Sequence, residues 1–229
     1  MTTVGLLHPG EMGAAIAHEL NQPLLAVLAY AKASRLMANE ADRERLDDTL
    51  DKLVEETKRA ADVVRRLREL FRMGVAQRVD GDVRVPIRRA MDALALRAAS
   101  LGVDMTLVER DPVPEVMHDA VQVELVLSNL LHNALDALAS VKRPGAVVVE
   151  VLHGRDGVVV SVIDDGPGIV DDDAERWFEP LRTSKATGMG MGLTISRAIV
   201  DAHGGRMWID PGPGGVVRFT LPLDGRRHE

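Results

Sequence analysis

His18 and Glu19 stand side by side, and Pro23 follows five residues after the histidine. A neutral imidazole can attack phosphorus, and an adjacent carboxylate can hold the proton of the other ring nitrogen and so fix the tautomer. Far downstream lie groups suited to holding what such a nucleophile would attack. Asn129 and Asn133 are four residues apart, hence on one face of a helix. Amide oxygens there can complete the octahedron of a Mg²⁺ already bound to phosphates. Asp164-Asp165-Gly166-Pro167-Gly168 follows a run of Val and Ile. A carboxylate at a strand end can accept an exocyclic amine and so read adenine, and Gly166 and Gly168 allow close backbone approach. Gly188, Gly190 and Gly192 run into an apolar-patterned helix, where backbone N–H groups and the helix dipole can hold phosphate. Trp177-Phe178-Glu179-Pro180 and Thr183-Ser184-Lys185 lie between the two glycine-rich segments, where a mobile lid would hinge. The chemistry these residues suggest is delivery of an activated phosphoryl group to an imidazole.

Each feature has an ordinary explanation as well. A lone histidine on a helix is commonly a surface residue. Two asparagines can be a solvated helix face, and Asp-Gly a plain turn. The aromatics can anchor a loop. The proline carries more weight, because a helix interior tolerates it at a cost of about 3 kcal/mol.

The elements that must position these groups can be read from periodicity. A helix can start near Glu11, after Pro9 and Gly10, and run to about Met37. Residues 39–42 read as a turn, with Asp42 as N-cap of a second helix that reaches about Arg72. In it Leu46, Leu50, Leu53, Thr57, Ala60, Val64, Leu67 and Phe71 alternate steps of four and three, a heptad seam. One hairpin buries such a stripe poorly, whereas two hairpins in a four-helix bundle bury it well. A homodimer through residues 11–72 is therefore expected, with a monomeric hairpin docked on the rest of the chain as the alternative. At about 100° per residue, His18 lies about 200° from Ile16 and from Leu20, so it faces solvent if they face the bundle. Pro23 has no N–H, which deprives the Glu19 carbonyl of its helix partner and loosens or kinks the helix there.

Beyond Gly74–Arg84, a linker by composition, helices over 86–100, 121–139 and 193–203 alternate with strands over 103–108, 146–152, 158–163, 206–209 and 216–221. Gly102 closes the first of these helices. The paired strands argue for a mixed sheet under helices, not a doubly wound parallel sheet.

Apolar residues make up 46% of the 229 and aromatics only 3%, so the core must be aliphatic. Cysteine is absent, which excludes disulfides and thiolate metal sites and suits a cytoplasmic location. No apolar run is long enough to span a membrane, and the N-terminus lacks a signal-peptide pattern. Residues 1–78 carry as many acidic as basic residues, so the net charge of −7 falls on residues 79–229. Neither part has the basic excess of a nucleic-acid binder. An acidic domain that handles ATP must rely on local dipoles and a metal ion.

Gly10 to Leu24, centred on His18-Glu19-Leu20-Asn21-Gln22-Pro23, closely resembles the phosphoacceptor box of sensor histidine kinases. It is most similar to the subgroup of oxygen- and dicarboxylate-sensing kinases, as is the Arg65-Arg66-Leu67-Arg68 ending of the second helix. The asparagine, Asp-Gly, aromatic and glycine-rich groups match in order the four boxes of the histidine kinase ATPase domain, a fold shared with gyrase and chaperone ATPases. The resemblance implies that His18 is phosphorylated, that Glu19 is its general base, and that Gln22 holds the position of a residue that aligns water for response-regulator dephosphorylation. It implies further that Asn133 with Asn129 holds Mg²⁺, that Asp164 reads adenine, that Gly188, Gly190 and Gly192 wrap the phosphates, and that Lys185 reaches one of them. Hydrolysing relatives carry a water-activating glutamate one turn before the metal-binding asparagine. Asn129 stands there instead, and Glu124 is nine residues from Asn133, so ATP should be held without rapid hydrolysis.

The resulting expectation is an α+β chain. Residues 1–78 form a dimerising phosphotransfer hairpin, and residues 79–229 an ATP-binding α/β sandwich of the Bergerat type. ATP phosphorylates His18, and the receiver domain of a response regulator takes the group, with no contact to nucleic acid or membrane. An ATP-binding regulatory module without kinase activity is the alternative. Val4 to Gly13 also resembles the opening of dinucleotide-binding dehydrogenases, but a coiled-coil hairpin follows where a second parallel strand should come. These residues hold no sensor module, so the chain reads either as the core of a larger receptor or as a small kinase fed by another protein.

Overall fold

The computed structural model describes residues 9–36, 43–71, 77–141, 143–169, 174–179 and 192–223. Side chains are described except those of residues 9–20, 55, 58–59 and 61–71. The chain divides into two compact units, Met1–Arg72 and Met73–Glu229.

The first unit is a helical hairpin, α1 (Pro9–Leu36) and α2 (Arg43–Phe71). Helix α1 begins two residues earlier than the sequence suggests. Pro9 opens the helix instead of breaking the chain before it, since the first turn needs no N–H and the proline φ is already helical. The helix continues through Pro23, which is buried. The turn expected over 39–42 lies outside the described residues. The heptad seam of α2 splits in two. Leu46 and Leu53 are half-buried and Ala60 buried, whereas Leu50 and Thr57 are exposed. Beside the seam Thr49 is buried and Val54 exposed, and the side chains of Val64, Leu67 and Phe71 lie outside the description. On α1, Leu24, Leu25 and Leu28 are exposed too, at 47%, 65% and 50%.

The second unit opens on β1 (Val79–Gly81) and α3 (Arg84–Leu101). The stretch read as a linker thus contains a strand, and β1 pairs antiparallel with β3 (Val116–His118), which the sequence did not reveal. Gly102 ends α3 at φ 65°, with its N–H returned to the Ala98 carbonyl, as expected of a helix-closing glycine. The main sheet contains β2 (Val103–Glu109), β4 (Gly145–His153), β5 (Gly157–Asp164), β6 (Met207–Ile209) and β7 (Gly215–Pro222). Its order is β2-β4-β5-β7-β6, with β2 parallel to β4 and all other pairs antiparallel, hence mixed.

Alternation on the sheet decides which face is sealed. Val151, Val160, Phe219 and Met207 stand in one cross-strand row, and all are fully buried. Val149, Val162, Val217 and Ile209 form the next row. Helices α3, α4 (Ala120–Val141) and α5 (Gly192–Ala202) pack on the sheet. The opposite row is polar. Arg110 pairs with Glu150, and Arg218 donates to Ser161 Oγ at 3.1 Å and to Asp210 at 2.6 Å. Helix α4 is held by Val123, Val126, Leu127, Leu130, Leu131, Ala134, Leu135 and Leu138, all buried at helical spacing. Its N-cap is Asp119, whose Oδ1 accepts the N–H groups of Val121 and Gln122 at 3.0 and 3.1 Å.

Candidate active site

Asn129 and Asn133 lie off the buried stripe of α4, partly exposed, on the strip that continues to Ala137. Two glycine segments meet that strip. A Cβ added at Gly166 would lie 3.1 Å from the Ala137 Cβ. One added at Gly192 would lie 3.9 Å from the Asn129 side-chain oxygen. Eight residues of helix, about 12 Å, therefore separate the Asp-Gly turn at one end from the first residue of α5 at the other, with Asn133 between. Asn129 donates through Nδ2 to Ser196 Oγ at 3.4 Å, which turns its amide oxygen toward Gly192.

Asp164 ends β5, half-buried. Its Oδ1 accepts the N–H of Gly166 at 2.9 Å and of Gly215 at 3.3 Å. Oδ2 accepts no hydrogen bond among the described residues. Burial pushes this carboxyl above the usual carboxylate range, against the two backbone N–H groups that favour its charge. Asp165 does a different job. It accepts the Ala146 N–H at 2.9 Å and pairs with Arg143 at 3.2 Å, and these hold its carboxyl below the usual range. The adjacent acids thus differ, one keeping an oxygen open among the described residues and one fixing the start of β4.

Two glycines outside the expected set complete this turn. Gly215 comes so close to Asp164 that any side chain there would overlap the carboxylate, and Gly214 packs on the Asp164 carbonyl. Gly168, at φ 76°, lies against Gly212 and Gly214, a position closed to other residues by backbone angle and by space. The sequence shows Pro211-Gly212-Pro213-Gly214-Gly215 only as a turn between strands. That it closes over a carboxylate 51 residues away is a tertiary fact.

Phe178 and its 3₁₀ turn (Ala174–Phe178) are anchored on α5. Thr194 Oγ1 donates to the Phe178 carbonyl at 2.8 Å, and the Arg197 guanidinium lies 4.7 Å from the Phe178 ring centre while pairing with Glu175. The segment that would form a lid therefore starts from a fixed point beside Gly192. Lys185, Gly188 and Gly190 lie outside the described residues. His18 and Glu19 are on α1, their side chains outside the description. Gln22, one turn after His18, is exposed. Among the described residues no cluster of three or more His, Cys, Asp or Glu side chains could hold a metal by itself. A cation here would need phosphate oxygens as well as the Asn amides. No described helix is long and apolar enough to cross a membrane.

Residues 10–75 match the His Kinase A (phospho-acceptor) domain, and residues 118–225 the histidine kinase-, DNA gyrase B- and HSP90-like ATPase. Over 219 residues the chain is 40% identical to the sensor protein FixL of Bradyrhizobium diazoefficiens, covering 93% of this chain and 43% of that protein. It is 33% identical over 217 residues to the C4-dicarboxylate transport sensor protein DctS of Rhodobacter capsulatus, covering 93% and 33%. The chain thus spans less than half the length of either relative. The crystal structure of histidine kinase ThkA in complex with the response regulator protein TrrA shares the fold, with a TM-score of 0.72, 22% identity, and coverage of 96% of this chain and 63% of that one. The helical hairpin and the ATP-binding sandwich are the two family modules in their family order, and the chain belongs to the sensor histidine kinases.

Proposed function

We propose that the chain is an ATP-dependent protein-histidine kinase acting in two-component signalling. The observation that carries this is the layout along α4, with Asp164 and Gly166 at Ala137, Gly192 at Asn129 and Asn133 between them. It suits a nucleotide laid lengthwise, its adenine amine on Asp164 Oδ2 and its phosphates at the start of α5, where Gly188 and Gly190 would add backbone N–H groups and Lys185 a charge. Asn133 and Asn129 would hold Mg²⁺, which when bound neutralises phosphate charge. The His18 imidazole then forms an N–P bond with the γ-phosphorus as the bridging P–O bond to ADP breaks. Glu19 holds the proton of the other ring nitrogen. Asn129, an amide where a hydrolase needs a base, leaves water unactivated. The phosphoryl group passes on to an aspartate of a response regulator, the kind of protein with which ThkA is found. Gln22 would orient the water that hydrolyses the regulator's aspartyl phosphate.

The exposed Leu24, Leu25, Leu28, Leu50 and Val54 favour a second hairpin as partner, so the working unit is a homodimer, with residues 1–78 as its dimerising part and residues 79–229 as its catalytic part. ATP as donor puts the reaction in the cytoplasm. Incubation with γ-labelled ATP tests the reading. Acid-labile, base-stable label on the wild type, lost in His18→Ala, supports it. ATP binding without any label would replace it with a non-catalytic ATP-binding module.

A further inference from the structure

His203 lies just past the end of α5 and is fully buried. Its two ring nitrogens have opposite duties. Nδ1 lies 2.8 Å from the Ile199 carbonyl, an acceptor, so Nδ1 carries the proton. Nε2 lies 3.0 Å from the backbone N–H of Asp119, a donor, so Nε2 must be the bare acceptor. Only the neutral imidazole fits, because a second proton would set two donors against each other inside the fold.

Asp119 is itself a junction. Its Oδ1 caps α4, its Oδ2 accepts the N–H of Gln77 at 3.0 Å, and its own N–H is the one His203 holds. The neighbouring Arg78 donates to the Ala202 carbonyl at the end of α5. Three pieces of chain therefore meet at one histidine: the segment that follows α2 in sequence, the start of α4, and the end of α5. Another polar tie between α4 and α5 among the described residues is Asn129 to Ser196, seven residues back along the chain from His203. Among the described residues, the helices that carry the asparagine pair and Gly192 are tied both at the candidate site and at His203.

We propose that His203 is a positioning residue for the nucleotide site, a latch that sets α5 on α4 and on the entering segment 77–81 and that closes only with a neutral imidazole. The proposal rests on the ATP-binding reading above. The groups facing the ring are Arg78 from the entering segment, His118 from β3 and Asp119 from the start of α4. Burial is the main cause that holds the imidazole below its ordinary value, aided by Arg78 and His118, against the Ile199 carbonyl and Asp119. The folded chain thus binds this proton more weakly than the unfolded chain. The latch contributes stability above the ordinary histidine value, and that contribution is lost as pH falls through the depressed one.

The experiment uses the full chain as wild type, His203→Gln and His203→Leu. Each is followed by hydrogen exchange of the Asp119 amide and by the Kd for ATP with Mg²⁺, from about pH 7.5 to about pH 5, either side of the ordinary histidine value of about 6.5. A glutamine oxygen can take the place of Nε2 and does not titrate. His203→Gln is expected to keep Asp119 protected and to bind ATP within about twofold of wild type at neutral pH, as its one inter-element hydrogen bond is retained. Its advantage over wild type should then grow as pH falls, and any titration of Asp164 cancels in that ratio. His203→Leu should unprotect Asp119 and weaken ATP by roughly five- to tenfold at neutral pH, the cost of a buried donor left unsatisfied. Wild-type ATP affinity in a folded His203→Leu chain would overturn the proposal, as would parallel pH curves for wild type and His203→Gln. Should His203→Leu fail to fold, the glutamine comparison decides alone. If even the wild type binds no ATP, the nucleotide reading fails and the positioning role with it, while Asp119 protection still reports whether the latch itself opens with acid.

Discussion

The two units are built on opposite terms. In the catalytic unit the sheet and helices seal an aliphatic core, and Val147, Val149, Val151, Val158 and Val160 are wholly inaccessible. In the hairpin only Pro23, Thr49 and Ala60 are buried among the described side chains, and six described leucine and valine side chains of the two helices lie open. The second unit buries most of its apolar side chains within itself, leaving Val79, Val85, Leu96, Met117 and Val121 exposed. The hairpin buries few of its described ones, and in the homodimer proposed above a second copy supplies the missing half of its heptad pattern. On the proposed reading the nucleotide site is preformed in a single chain, whereas the helix bearing His18 depends on association.

The contrast is tested most strongly by removing equal amounts of apolar surface from each side. Leu131→Ala, at a fully buried position of α4, should cost about 2–5 kcal/mol of stability in denaturant titration. Leu25→Ala, at 65% exposure, should leave the catalytic unit's unfolding midpoint unchanged and instead weaken the dimer, seen by sedimentation. Equal effects of the two on unfolding would remove the distinction.

Next in size is Asp164→Asn. The variant keeps an oxygen for the Gly166 and Gly215 N–H groups but turns an amide donor toward an amine. Loss of a charge-assisted hydrogen bond predicts ATP binding weaker by about ten- to hundredfold. The fold should be no less stable, since the buried charge is removed. The same carboxyl gives a pH signature. Because burial raises its value, it takes up a proton at a higher pH than an ordinary aspartate, so nucleotide affinity should begin to fall earlier on acidification. In His203→Gln that fall should remain, which separates it from the latch.

The smallest effect belongs to the anchor of the aromatic segment. Arg197→Met removes the contact with Phe178 and the pair with Glu175, worth about 0.5–1 kcal/mol at a partly exposed site. Circular dichroism should show little change in melting, while tryptophan fluorescence from Trp177 should shift. An unchanged spectrum would mean the segment is held elsewhere.

Much of this was legible in residue order, for identifiable reasons. The valine-rich runs of β4 and β5, on either side of a short polar turn, are long enough to read as paired strands, and α4 and α5 repeat apolar residues at helical spacing. Strands β1 and β3 have three residues each, too few to show a period, so one has the composition of a linker and the other carries no signal. Asp119 is a capping residue of ordinary type, yet the apolar pattern places the helix start at Val121, past its cap. Asn129, Asn133, Asp164 and Gly166 could be picked out because each carries its own chemistry. Gly215 and His203 could not, because their importance lies in partners 51 and 84 residues away. The split of the heptad seam into a covered and an open half is likewise a matter of packing, since the sequence gives both halves the same spacing.

The most direct test of phosphoryl transfer to His18 is peptide mapping at alkaline pH after incubation with ATP and Mg²⁺, on wild type, His18→Gln and Asp164→Asn. The expected result is one phosphorylated peptide in the wild type, the one containing His18, and none in either variant, although His18→Gln still binds ATP. A phosphopeptide elsewhere in the wild type, or one that persists in His18→Gln, would contradict it.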